Sequence, residues 1–357
     1  MISRRLKLSR LSARFSLREL SDKIGNLVTA QAIGKYERDE MMPGSKVLIA
    51  LAQALGVSVN YLVSEGLINL DGVEFRKNAI TSEKEEASIQ AAVLSAVERY
   101  LEIEDILGVT SQEWQQPQGF PFPIHEIADA ESAALSLRSC WNLGSDPIPN
   151  FAEFLEEKGI KVLALSLTEN VSGLICMVHR REGSDVPTIV LNQNDTGERQ
   201  RFTLAHELGH LLLDMSQGVN EEKASNRFAG AFLMGADILR AEVGKHRHYI
   251  SLGELLQLKA IFGVNVGAIT YRCKDLGIID NALYQQLFEG FKEQGWRHPP
   301  YKEPLPVEPL QPTRFKRLCF RALAENAVSE AKAAELLGIS VRQLELEMDR
   351  PPEIQAA

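Results

Sequence analysis

Hydrophobic residues along the chain recur mainly at spacings of three and four, the mark of helices buried along one face. Arg4 to Phe15 reads as a basic amphipathic helix. Ser16-Leu17-Arg18-Glu19 is a capping box opening a second helix, with Leu17, Leu20 and Ile24 inward and Gly25-Asn26 at its end. Thr29 caps a third helix, AQAIGKYER, in which Ile33 and Tyr36 face a core. SKVLIALAQALG turns Leu48, Leu51, Ala52 and Leu55 to one side, and Val57 to Leu62 closes the bundle. A charged helical stretch, SEKEEASIQAAVLSAVERYLEIEDIL, leads to the Pro/Gly-rich PQGFPFP (117–123), which reads as a boundary.

Beyond it, IADAESAALSLRSCWNLG and NFAEFLEEKG have helical spacing, whereas IKVLALSL (160–167), GLICMV (173–178) and PTIVLN (187–192) read as strands. RFTLAHELGHLLLD and EEKASNRFAGAFLM are helical again. Asp195, three residues before Glu198, predicts the start of the first, and Phe228, Ala229 and Phe232 face inward in the second. The Pro-rich segment 299–312 reads as a linker to a tail, 314–348, with a helix-turn-helix-like rhythm. This order of helices, a few short strands and more helices predicts an α+β fold that is mostly α.

The 357 residues suffice for two or three domains, and 45% hydrophobic with 24% charged residues is ordinary for a soluble globular protein. No apolar run reaches the length of a membrane span, and the N-terminus lacks a signal-peptide core. Cys140, Cys176, Cys273 and Cys319 are scattered, so they read as reduced thiols of a cytoplasmic protein. The net charge of −9 argues against nonspecific nucleic-acid binding, but its distribution argues the other way. Residues 1–66 hold ten Lys and Arg against six Asp and Glu, and the rest holds 29 against 42. A basic head on an acidic body suits a DNA-binding module.

The chemistry centres on His206-Glu207-Leu208-Gly209-His210, an H-E-x-x-H match. Four residues apart on a helix, both imidazoles reach one ion, and Glu207 can take a proton from water without ligating the metal. A catalytic zinc site needs a third ligand. Glu222 on the following helix is the best candidate, and Glu221 is its rival. Cys176 is a plain buried thiol unless it lies close enough to the metal to block it. A donor for a developing oxyanion could come from His246, Arg247, His248, Tyr249 or Arg272, all of which could equally cap or solvate a loop.

RFTLAHELGHLLLD followed by ExxxNRFA resembles the ImmA/IrrE family of metallopeptidases, and the likeness extends over the three strands and through 252–279. The resemblance implies a zincin-like domain in which His206, His210 and Glu222 hold Zn2+ and Glu207 is the general base. Ser225 replaces the usual Ala before the Asn, and Gly235 stands where a Pro is common. In the head, a helix, a tight turn and a second helix exposing Thr29, Gln31, Gly34 and Lys35 have helix-turn-helix geometry. Residues 1–66 resemble the XRE/Cro-type repressors. That resemblance places Thr29, Gln31 and Lys35 on bases or phosphates and Arg38 on the backbone.

The division expected is a helix-turn-helix head (1–66), a helical connector (67–124), a zinc peptidase domain (125–298) and a helical C-terminal subdomain (313–350). The function expected is a DNA-binding transcriptional regulator fused to a zinc endopeptidase. Its partners would be a double-stranded operator and a cognate protein substrate, with homodimerisation suited to paired half-sites and no membrane partner. The rival reading is a repressor or antitoxin-like protein whose peptidase-like domain binds a toxin or signal without turnover.

Overall fold

A computed structural model describes residues 2–63, 70–75, 83–109, 113–168, 171–180, 183–297 and 303–349. The head comprises α1 (Ile2–Ser12), α2 (Leu17–Lys23), α3 (Ala30–Glu37), α4 (Ser45–Leu55) and α5 (Val59–Val63). Ser16 and Glu19 cap α2 reciprocally, and Gly25 at φ +67° makes the turn that follows. Leu6, Leu20, Ile33, Tyr36 and Leu51 form the buried core of this bundle. The boundary expected at 66–67 lies outside the described residues.

Next come β1 (Leu70–Phe75), the long helix α6 (Glu83–Ile106), β2 (Phe122–Ile124), α7 (Asp129–Cys140), α8 (Phe151–Glu157), β3 (Lys161–Leu165), β4 (Gly173–Arg180) and β5 (Val186–Asn192). Then α9 (Gly197–Leu212) runs into β6 (Leu213–Met215), followed by α10 (Glu221–Leu233), α11 (Ala236–Val243), α12 (Leu252–Phe262), α13 (Val266–Asp275) and α14 (Asn281–Glu293). The tail holds α15 (Arg314–Ala324), α16 (Glu330–Leu337) and α17 (Val341–Asp349). The fold is α+β with helices dominant. The segment expected to be a helical connector also supplies two strands, β1 and β2.

The main sheet has the order β1-β4-β5-β3, and β2 pairs with β6 separately. Strand alternation divides its two faces. Leu174, Cys176, Val178 and Val190 pack against Ile89, Val93, Leu94, Val97 and Leu101 of α6. Ile175, Ile189 and Leu191 point the other way, into the core built with Leu204, Leu208, Phe228 and Phe232 of α9 and α10. The sheet is therefore the middle layer, with α6 behind it and α9 in front.

Three parts of the chain share α6. Arg5 of α1 pairs with Glu98 at 3.2 Å and donates to Tyr61 O, and Leu8 packs at the edge of the cluster behind the sheet. Tyr100 and Ile103 bury against Leu318, Cys319 and Ala322 of α15 and Leu336 of α16. Lys161 of β3, 1% exposed, donates to Glu104 at 2.8 Å.

The Pro-rich segment 299–312, expected as a linker, is held against the body over its described residues, 303–312. Residues 303–312 lie across the first turn of α9, where Val307 N–H donates to Glu198 and Leu310 N–H donates to Gln200. Any Cβ on Gly197 would fall 2.4 Å from Val307 O, so only glycine allows this approach. The fully buried Lys259 bridges Glu198 and Glu303. The prolines of this strap lack an N–H to satisfy, and side chains far away in sequence accept from those of Val307 and Leu310.

Candidate metal centre and DNA-facing helix

Helix α9 is capped at Thr196 without a side-chain bond, not by the Asp195–Glu198 box expected. Its apolar residues Leu204, Ala205, Leu208 and Leu212 are fully buried. Gly209 lets α10 come close: a Cβ there would sit 3.1 Å from Phe228 and 3.4 Å from Ser225 Cα. Asn220 caps α10 by accepting from Lys223 N–H, which places Glu221 and Glu222 in its first turn, where the helix dipole favours carboxylates.

That approach brings His206, His210 and Glu222 together, with ligating atoms all within 4.8 Å of one another. The two Nε2 atoms lie 2.9 Å apart. Glu222 Oε2 is 3.5 Å from His206 Nε2, and Oε1 is 3.8 Å from His210 Nε2. On the opposite side of each ring, Asn226 Oδ1 faces His206 Nδ1 at 3.1 Å and Glu221 Oε1 faces His210 Nδ1 at 2.8 Å. An acceptor at Nδ1 places the ring proton there and leaves the Nε2 lone pair for a cation. Zinc bonds of about 2.0–2.1 Å at tetrahedral angles separate donors by about 3.3 Å, within the range found here. Two imidazoles and a carboxylate, with acceptors behind both rings, fit zinc.

Glu207 is 8% exposed and lies with these residues on the wall of a cavity of about 360 Å³. Gly173, at the start of β4, is what lets the sheet meet α9 there. A Cβ on it would fall 2.5 Å from Thr203 Cγ2 and 2.9 Å from Val190 O. Asn192, 2% exposed, donates to Val171 O and Thr168 O, fixing the chain that leads into this wall. The cavity also contains Arg199, whose Nε donates to Ser172 Oγ at 2.8 Å and which pairs with Asp195 at 3.2 Å. Arg199 was not anticipated, although its position seven residues before His206 places it on the same helical face.

The oxyanion candidates lie elsewhere. Arg272, 1% exposed, donates to Glu131 and to Met234 O, joining α7, α10 and α13. Arg247 pairs with Glu254 and donates to Val243 O. None of His246, Arg247, His248, Tyr249 or Arg272 lines the cavity. Cys176 lies on the α6 face of β4, opposite the metal helix, with its Sγ 3.4 Å from Thr188 O. Burial, reinforced by the Glu207 charge, pushes its thiol up to about 12, and its place on the far face of the sheet keeps it out of the histidine cluster.

In the head, Gln31 and Lys35 project exposed from α3. Thr29 caps that helix, its hydroxyl accepting from Ala32 N–H. Arg38 is exposed and forks onto Glu40 at 2.6 and 3.2 Å, so a phosphate would have to displace a carboxylate. Gly34 is buried rather than DNA-facing: a Cβ on it would meet Arg38 at 3.2 Å and Leu17 of α2 at 3.4 Å.

Residues 155–274 match the family model of the IrrE N-terminal-like domain, peptidase M78, and residues 6–62 match a helix-turn-helix family model. The chain joins a helix-turn-helix to an IrrE N-terminal-like domain. The peptidase match runs from the end of α8 almost to the end of α13, so it contains the sheet strands β3 to β5 and both metal-site helices. The helix-turn-helix match runs from within α1 almost to the end of α5. No curated protein matches the chain. No single helix among the described residues is long and apolar enough to cross a membrane.

Proposed function

We propose that this protein is an operator-binding regulator whose IrrE N-terminal-like domain is a zinc-dependent endopeptidase acting on a cognate regulatory protein. The observation that carries the reading is the convergence of both Nε2 atoms and the Glu222 carboxylate on one point of a cavity that Glu207 also lines. His206, His210 and Glu222 would hold the ion, with Asn226 and Glu221 fixing the two rings. Bound zinc supplies a Lewis acid that polarises a carbonyl and makes water a nucleophile near neutral pH. Glu207 is the general base: its carboxylate takes the water proton and returns it to the departing amine. Arg199, held by Ser172 and Asp195, orients the substrate backbone beside it.

The head gives the peptidase its address. Gln31 reads base edges, Lys35 contacts phosphate, and Thr29 presents the N-terminus of α3 to the duplex. Because α1 is anchored to α6, the cleft stays beside whatever operator the head occupies.

The test pairs metal analysis with cleavage. The purified protein should hold about one zinc per chain and cut the protein encoded beside it. Glu207→Gln should retain the zinc and stop the cutting. Undiminished operator control and partner neutralisation by that variant, with no cleavage by the wild type, would establish the binding-platform reading instead.

A further inference from the structure

Strand β3 is an edge: among the described residues it pairs with β5 and no other strand. In a parallel ladder, alternate residues turn both backbone groups toward the neighbour. Gln193 N–H donates to Leu165 O, which assigns Lys161, Leu163 and Leu165 to the β5 side. Val162, Ala164 and Ser166 therefore turn outward. Ser166 O fits this assignment, because it accepts from Arg14 of the head at 2.9 Å. The outward N–H and C=O groups of Val162 and Ala164 have no partner among the described residues. An edge left in that state is a template for an added strand.

Space for a partner exists. The β3 edge walls a cavity of about 680 Å³, closed by Tyr100 of α6, Pro309 and Leu310 of the strap and Phe315 of α15. Its walls are mainly apolar, and the charged residue among them is Arg99. That guanidinium donates to two carbonyls, Ser95 O at 3.1 Å and Leu336 O at 2.9 Å, and no carboxylate pairs with it among the described residues. A cation whose neighbouring carboxylate, Glu98, is already paired with Arg5, beside an open strand edge, suits an extended ligand with one negative charge. An apolar peptide strand has that charge at its C-terminus.

We propose that this groove binds the apolar C-terminal segment of a partner protein, added to β3 as a strand with its terminal carboxylate on Arg99. The main-chain bonds to Val162 and Ala164 supply affinity, and Arg99 selects the free acid. The site is separate from the metal cavity, and it touches the connector helix, the sheet and the tail together.

The experiment uses the full-length protein and a pool of fluorescent hexapeptides randomised over Val, Leu, Thr and Ser, prepared as free acids and as amides. Selected free acids should bind, and amidation should weaken them about tenfold or more. Arg99→Gln should erase the preference for acid over amide. Ala164→Pro, which removes an outward donor and spares the β5 ladder, should weaken acid and amide alike. Glu207→Gln should change neither. If Ala164→Pro does not fold, amide exchange in the wild type decides, because Val162 and Ala164 should slow on peptide addition. Failure of the pool to bind, or binding indifferent to Arg99→Gln with unchanged exchange at β3, overturns the proposal.

Discussion

Glu221 lies 2.8 Å from Nδ1 of His210, on the opposite side of the ring from the nitrogen that faces His206. Its neighbour Glu222 faces the Nε2 side of both imidazoles. Two adjacent glutamates thus face different nitrogens of the same imidazole, and if the cluster holds zinc, their substitution should separate them. Glu222→Ala removes a donor and should largely abolish zinc retention. Glu221→Ala removes only the acceptor behind a ring and should weaken zinc about 10–100-fold. Competition with a chelator measures both, and the reverse order would exchange their roles.

Glu207→Gln should leave zinc content unchanged and reduce cleavage of the cognate protein by at least about 100-fold, the usual scale for losing a general base. Metal analysis and a cleavage time course on the same preparation check this. Equal loss of zinc and activity would instead make Glu207 part of the metal's support.

Gly173→Ala should destabilise the protein by about 1–3 kcal/mol, because the new methyl meets Thr203 and the carbonyl of Val190, and a carbonyl cannot move aside as a flexible side-chain end can. Thermal melting of the variant against the wild type measures it. An unchanged melting temperature would show that β4 can draw back from α9.

The Glu156 carboxyl accepts from Tyr100 OH at 2.8 Å, is 1% exposed, and has a second oxygen with no hydrogen-bond partner. Burial pushes it up from 4.5 to about 7. The folded protein therefore holds a proton that the unfolded chain has released. This contribution to stability is complete below the ordinary value and is lost as pH rises through about 7. Glu156→Gln should be the more stable protein near pH 8, by up to about 3 kcal/mol, and the two should converge near pH 4. Denaturant titrations at both pH values check the sign.

Lys35→Ala should weaken binding to operator and random duplex alike and lower the slope of log affinity against log salt by about one. Gln31→Ala should narrow the gap between operator and random DNA with little change in slope. Fluorescence anisotropy at several salt concentrations distinguishes the two.

Local chemistry was the legible part. The His206–His210 spacing brings two imidazoles together wherever the helix forms, and the Ser16–Glu19 pair announces α2. Strand alternation also settles Cys176: even positions of GLICMV share the α6 face, so its thiol points away from the metal helix. What spacing leaves open depends on how a second helix is rotated. Glu222 is the better donor and Glu221 its rival until Gly209 and Ser225 set the approach of α10 to α9. The strap was illegible for a related reason. Its backbone partners, Glu198 and Gln200, precede it by about a hundred residues, so nothing local distinguishes a clamped proline-rich segment from a loose one.

Helix α6 presents one side to Arg5 and Leu8, another to the sheet and a third to Leu318 and Ala322. Each neighbour would expose apolar surface if it came away alone. Heating should therefore give a single calorimetric peak, and a head severed from the body by a protease nick should remain seated on it.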